Sequence, residues 1–240
     1  LIGRFGWRSP FLFLAALGVA SVALLVLLLP RVPSARGAGP GGISLIQAWR
    51  LLARRRPALG ALGYSVCFTM ANDSLFVVYG AWLEKDFRLP LAALGSATIV
   101  IGAAELLAES LTAFLADRVG LVRATVGGAA LTAVAYLLLP AVSRTLPLAL
   151  AALFLAFLAF EFTVVTAMGL FTEVLPDARG TMMGMLAATS GTGRMLGALT
   201  GGYVWLWGGL AATGTVAAAL SLCALGSLVW GLRGWHPRSA

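Results

Sequence analysis

LPLALAALFLAFLAFEFTVVTAMGLF, residues 146–171, contains a single ionisable side chain, Glu161, and it stands in the middle of the run. A helix of that length exceeds the roughly 20 apolar residues needed to cross a bilayer. A carboxylate at the centre of such a span is costly, and a soluble fold gains nothing from the surrounding sequence. The stretch therefore reads as a transmembrane helix with a functional group inside it.

Six further runs have the same character: Phe11 to Leu29, Ala58 to Leu83, Leu91 to Ala116, Ala124 to Ala141, Thr181 to Tyr203 and Leu210 to Leu232. The turns between them are short and punctuated by Gly, Pro, Arg or Asp, as antiparallel neighbours in a bundle require. The expectation is an all-α polytopic membrane protein of seven transmembrane helices. Composition agrees, because 60% of residues are hydrophobic and 11% charged, against roughly a quarter charged in soluble domains. Lipid is the solvent for most of this surface.

A net charge of +8 raises the question of nucleic acid, but a nucleic-acid module gathers its basic residues on one soluble face. Here they fall in short gaps between apolar runs, which excludes that class. Their distribution orients the chain instead. With the N-terminus outside, the inner loops carry Arg31, Arg36, Arg50, Arg54, Arg55, Arg56, Arg118, Arg123, Arg179, Arg233 and Arg238, whereas the outer loops carry Arg4, Arg8, Lys85, Arg88 and Arg144. The C-terminus is then cytoplasmic, in a cell (inner) membrane. Tyr79, Trp82, Tyr203, Trp205 and Trp207 mark outer ends, and Trp49, Trp230 and Trp235 inner ones, as interfacial aromatics do.

Four regions follow: 1–29, an outer link and first helix; 30–57, a cytoplasmic linker; 58–232, a six-helix domain; and 233–240, a cytoplasmic tail. The linker has a Gly-rich stretch and then Ile43 to Leu52, whose apolar spacing ahead of Arg54-Arg55-Arg56 suits an interfacial helix on an anionic leaflet. The first residue is Leu1, not Met, and no signal-peptide pattern precedes the first span, so the chain reads as part of a longer protein.

Charged groups inside the spans carry the functional argument. Asp73, Glu105, Glu161 and Arg194 all lie near the middle of their runs, and Glu109 follows Glu105 by four residues, on the same helix face. The first, fourth and seventh runs have no charge in their interiors. Helices that line a wet cavity tolerate charge and helices in lipid do not. One Arg cannot neutralise four acids. Burial and neighbouring acids both favour the protonated form of a carboxylate, the property that a proton carrier needs. Asn72 and Ser74 flank Asp73 and offer hydrogen bonds to a substrate or a neighbouring helix. Gly193, Gly197 and Gly201, at four-residue spacing, form a small-residue ridge for close helix packing.

Other classes fare badly. A retinal protein needs a Lys within the membrane, and the one Lys is Lys85, in an outer loop. The sole His, His236, is in the tail, and no nucleophile-base pair or metal-ligand spacing lies within the spans. No enzyme, metal or cofactor is expected, and Cys67 and Cys223 read as packing residues.

Three segments resemble the major facilitator superfamily, in particular its drug and sugar efflux members. Gly3-Arg4-Phe5-Gly6-Trp7-Arg8-Ser9-Pro10-Phe11 resembles the link before the sixth helix. Leu115-Ala116-Asp117-Arg118-Val119-Gly120 resembles the second-half copy of the Gly-x-Leu-Ala-Asp-Arg-x-Gly-Arg loop. Glu173-Val174-Leu175-Pro176-Asp177-Ala178-Arg179-Gly180-Thr181 resembles the connection between helices ten and eleven. Ala113 replaces the first glycine of the loop, and Leu121 and Val122 replace its basic pair, leaving Arg123. The resemblance implies helices six to twelve of such a transporter, the last six forming a C-terminal bundle of two inverted three-helix repeats. It implies Asp73 and Glu161 as cavity groups and Glu105 and Arg194 near the interface with a missing N-terminal half. It further implies alternating access and an inner-gate loop of Asp117, Arg118, Gly120 and Arg123, while the unpaired mid-membrane acids suit proton-coupled export of a small-molecule substrate. A sugar or metabolite carrier is the alternative.

Overall fold

The computed structural model describes residues 8–28, 47, 50 and 52–235. The interfacial helix expected over 43–52 falls largely outside them, as do most of the outer link and the tail. Helix α1 (Ser9–Leu28) belongs to one unit and every later helix to a second. α1 is a continuous apolar helix without a charged residue.

The second unit begins with α2 (Arg56–Phe76), which has a proline in its first turn, where the missing N–H was never going to be bonded within the helix. A tight turn, in which the Val78 N–H donates to the Leu75 carbonyl, leads into the short α3 (Tyr79–Phe87). Together they form one membrane-length run, Arg56–Phe87. α4 (Leu91–Val119) and α5 (Leu121–Val142) follow, joined at Gly120, whose φ of 88° and ψ of 134° suit a residue without a Cβ. α6 (Leu146–Val174) contains the run around Glu161. A single 3-10 turn, Pro176–Ala178, then leads to α7 (Arg179–Leu232).

α7 is 54 residues long but not straight. Gly208 and Gly209 leave the helical region, and Gly209 adopts φ 59°, ψ −151°, a backbone region essentially reserved for glycine. Packing against α2 reveals the direction of each arm. In the first arm, residues 179–207, the carbonyls of Leu186 and Ser190 face Ser65 and Thr69, Gly197 faces Met70 and Gly201 faces Ser74. Numbers rise together, so this arm runs parallel to α2. In the second arm, residues 210–232, Gly231 meets Gly60 and Ser227 meets Gly63, so the numbers run in opposition. The arms are therefore antiparallel to each other, and the chain reverses at Gly208-Gly209.

Small residues set the spacing. A Cβ on Gly60 would lie 2.6 Å from Gly231 Cα, and one on Gly214 would lie 2.6 Å from the Tyr136 carbonyl oxygen. Without a hydrophobic drive between helices in lipid, such close backbone approach supplies the packing. Large side chains fill the remainder in two clusters, one with Phe68, Phe160, Leu170 and Met182, the other with Trp82, Tyr136, Leu153 and Phe157.

Among the described residues there is no strand, and six helical segments are long and apolar enough to cross a membrane. The chain is a multi-pass membrane protein. Where seven separate runs were expected, the sixth and seventh are the two antiparallel arms of α7, joined at Gly208-Gly209 without an intervening loop.

Candidate functional site

Glu105 and Glu161 sit near the midpoints of α4 and α6, Asp73 near the middle of the run Arg56–Phe87 and Arg194 near the middle of the first arm of α7, and none of them is among the buried residues. Arg194 Nε lies 3.3 Å from Asp73 Oδ2 and donates to Oδ1 at 3.4 Å. The carboxylate is 15% exposed and the guanidinium 64%. Glu161, on α6, is half-buried and stands within electrostatic reach of Glu105, Glu109 and Arg194. Glu105 and Glu109 are exposed on α4 and border a hollow with Gly102 and Ala103. Four helical segments thus present five charges, and no cation among the described residues pairs with Glu105, Glu109 or Glu161.

The ion pair is the last rung of a polar seam. Ser65 Oγ lies 2.6 Å from Ser190 Oγ, and Thr69 Oγ1 lies 3.1 Å from the Ser190 carbonyl and 2.8 Å from that of Ser65. Ser65, Thr69 and Asp73 are spaced by four on α2, as are Ser190 and Arg194 on the first arm of α7, so each set lies along one helix face. Ser65, Thr69 and Ser190 were not singled out in the sequence, although that spacing was the available signal. The ridge glycines make the seam possible: Gly193 faces Val66 and Thr69, and Gly197 faces Met70 and Asp73.

Asn72 is turned elsewhere. It is 4% exposed, and its Oδ1 accepts a 3.0 Å hydrogen bond from the Tyr136 hydroxyl on α5. Successive helical residues are rotated by about 100°, so Asn72 and Asp73 face different neighbours. Ser74 bonds back to the Ala71 carbonyl of its own helix.

At the opposite end from Trp82 and Trp207, Asp117 and Arg118 occupy the last turn of α4 and Arg123 the first turn of α5. The Asp117 side chain lies outside the described residues. Arg118 and Arg123 are exposed, and Arg123 shares a hollow with Gly120, Leu170 and Glu173, so the acid across from it comes from α6. Among the described residues no group of three or more His, Cys, Asp or Glu side chains is placed to hold a metal ion.

The chain is similar to an uncharacterized MFS-type transporter, YceJ, of Bacillus subtilis (strain 168), with 26% identity over 206 residues. The match covers 85% of this chain and 52% of the relative, so the chain spans about half the relative's length. The family model described as Major Facilitator Superfamily matches residues 64–239, from the seam on α2 to the end of the chain. On that match, the charged face and its seam are features of a chain that belongs to the Major Facilitator Superfamily.

Proposed function

We propose that this chain is the C-terminal half of a secondary active transporter that exports small organic molecules in exchange for protons by alternating access. The observation that carries the reading is the charge inventory at mid-span: Asp73 has Arg194 as its partner, whereas Glu105, Glu109 and Glu161 have no ion-pair partner among the described residues. An acid held at membrane depth without a fixed cation is a group that exchanges protons or binds something that arrives and leaves. On this reading Asp73, Glu161 and Arg194 face the translocation path and Glu105 and Glu109 face the missing N-terminal half. The reversal at Gly208-Gly209 separates two of seven spans, and helices α2 to α7 form two inverted three-helix repeats. The N-terminus is outside, the C-terminus is cytoplasmic, and the turn with Asp117, Arg118, Gly120 and Arg123 is part of the inner gate.

The test is pH-driven flux of a fluorescent cationic compound in vesicles holding the full-length protein. Glu161→Gln is expected to abolish the dependence of flux on the imposed pH gradient. If Asp73→Asn, Glu105→Gln and Glu161→Gln all leave that dependence intact, proton coupling is wrong.

A further inference from the structure

Consecutive helices α5 and α6 run antiparallel and come together far from the turn that joins them. A Cβ on Gly128 would collide with the Thr163 side chain, so no gap remains at that level. From there toward the turn at Ser143-Arg144-Thr145, an apolar groove of about 430 Å³ lies between the two helices. Small side chains make it: Ala135 on α5 and Ala152 and Ala159 on α6 form the floor. Leu131, Leu138 and Leu155, each about half-exposed, form the walls.

The length of the groove points to its guest. Its lining runs over residues 131–142 of α5 and 148–159 of α6, which at 1.5 Å per residue is about 16 Å on each helix. The hydrocarbon of one leaflet is about 15 Å deep, half of a bilayer core. A neighbouring transmembrane helix crosses both leaflets and would have to pass over the closed Gly128-Thr163 level as well. A lipid acyl chain ends at mid-membrane, as the groove does.

A cation stands at the open end. Arg144 is exposed and forms no ion pair among the described residues. It lies two residues from Val142 and four from Leu148, the lining residues nearest the turn. At the level where lipid phosphates lie, a guanidinium matches their charge and their geometry. A tail gains nothing from apolarity when it leaves other tails for the groove, because lipid is as apolar as Leu. The groove therefore supplies the fit and Arg144 the preference for a head group.

We propose that this groove is a binding site for one anionic phospholipid, with an acyl chain between α5 and α6 and the phosphate on Arg144. The leaflet is the one that contains the 143–145 turn, the outer one in the orientation proposed above. The site uses none of the charged groups at mid-span and is independent of proton coupling.

Native mass spectrometry of the full-length protein in detergent, titrated with phosphatidylglycerol or with phosphatidylcholine of the same chains, counts bound lipids and gives their affinities. The basic inner turns also attract anionic lipid, so the test compares variants. Arg144→Ala is expected to weaken one bound phosphatidylglycerol about fivefold, the effect of one arginine at a charged surface, and to leave phosphatidylcholine unchanged. Ala151→Trp, which puts an indole into the groove from an exposed position, is expected to remove one bound lipid of either kind. Leu138→Trp does the same from α5 and stands in for it should Ala151→Trp fail to fold. With the groove filled, Arg144→Ala is expected to have no further effect, because both substitutions act on one lipid molecule. Unchanged phosphatidylglycerol binding in Arg144→Ala, unchanged lipid counts in both tryptophan variants, or an undiminished effect of Arg144→Ala in the filled groove overturns the site. A dimer of the unaltered protein that the tryptophan variants dissociate would assign the groove to a second copy and also overturn it.

Discussion

The guanidinium of Arg194 stands 3.3 Å from the carboxylate of Asp73, three residues ahead of a glycine that lets the two helices touch. A Cβ at Gly197 would lie 2.6 Å from the Met70 carbonyl oxygen and 3.0 Å from Asp73 Cβ. A larger side chain there holds α2 off the first arm of α7 and moves the acid away from its partner. The pair is open on one side, since Arg194 is 64% exposed. Exposed pairs contribute only about 0–1 kcal/mol to stability, so the pair's conspicuous position argues for a part in function.

Asp73→Asn is therefore expected to cost less than about 1 kcal/mol of stability while abolishing pH-driven flux. Thermal unfolding in detergent and vesicle transport measure the two effects separately. A loss of about 3 kcal/mol or more, the figure for breaking a buried pair, would make the pair a structural clamp and sink the functional assignment.

The ridge offers a contrast within one helix. Gly197→Ala drives a methyl into the backbone of α2 and is expected to destabilise by about 1–3 kcal/mol. Gly202, five residues on, has nothing within 4 Å of an added Cβ, and Gly202→Ala is expected to be neutral or stabilising by up to about 1 kcal/mol. Equal melting temperatures for the two variants would contradict the packing role.

Tyr136→Phe removes the hydroxyl that donates to buried Asn72 and leaves the amide oxygen unpaired. The expected cost is about 1–3 kcal/mol, seen as a lower melting temperature, with the pH profile of transport unchanged. A shifted profile would return Asn72 to the transport path.

The reversal in α7 has two tests. Gly209→Ala forces a Cβ into a glycine-only backbone region and is expected to cost on the order of 1–3 kcal/mol. With Cys67 and Cys223 replaced, Trp207→Cys should react with an impermeant maleimide from outside and Arg233→Cys only after the membrane is opened. Labelling of both from the same side would refute two separate spans across residues 179–232.

Much of this architecture was legible in the linear chain because the bilayer imposes a length. Runs of about 20 apolar residues marked the helices, and the rise of 1.5 Å per residue put Asp73, Glu105, Glu161 and Arg194 at one depth before any packing was known. Gly120 and the Gly193-Gly197-Gly201 spacing were visible for the same reason, since both are local properties of the backbone. Depth, however, says nothing of direction around the helix axis. Lipid and protein core are equally apolar, so a helix that is apolar on every side carries no amphipathic signal for which face is buried. Asn72 and Asp73 are adjacent in the chain, yet one is locked to Tyr136 in the interior and the other meets Arg194 at the surface. Phe160 stacks on Phe68 at 4.9 Å, whereas Met168 stands at the mouth of a cavity, a distinction that residue type cannot make. Those assignments depend on where each neighbouring helix comes closest, and that is set by contacts between residues far apart in the sequence.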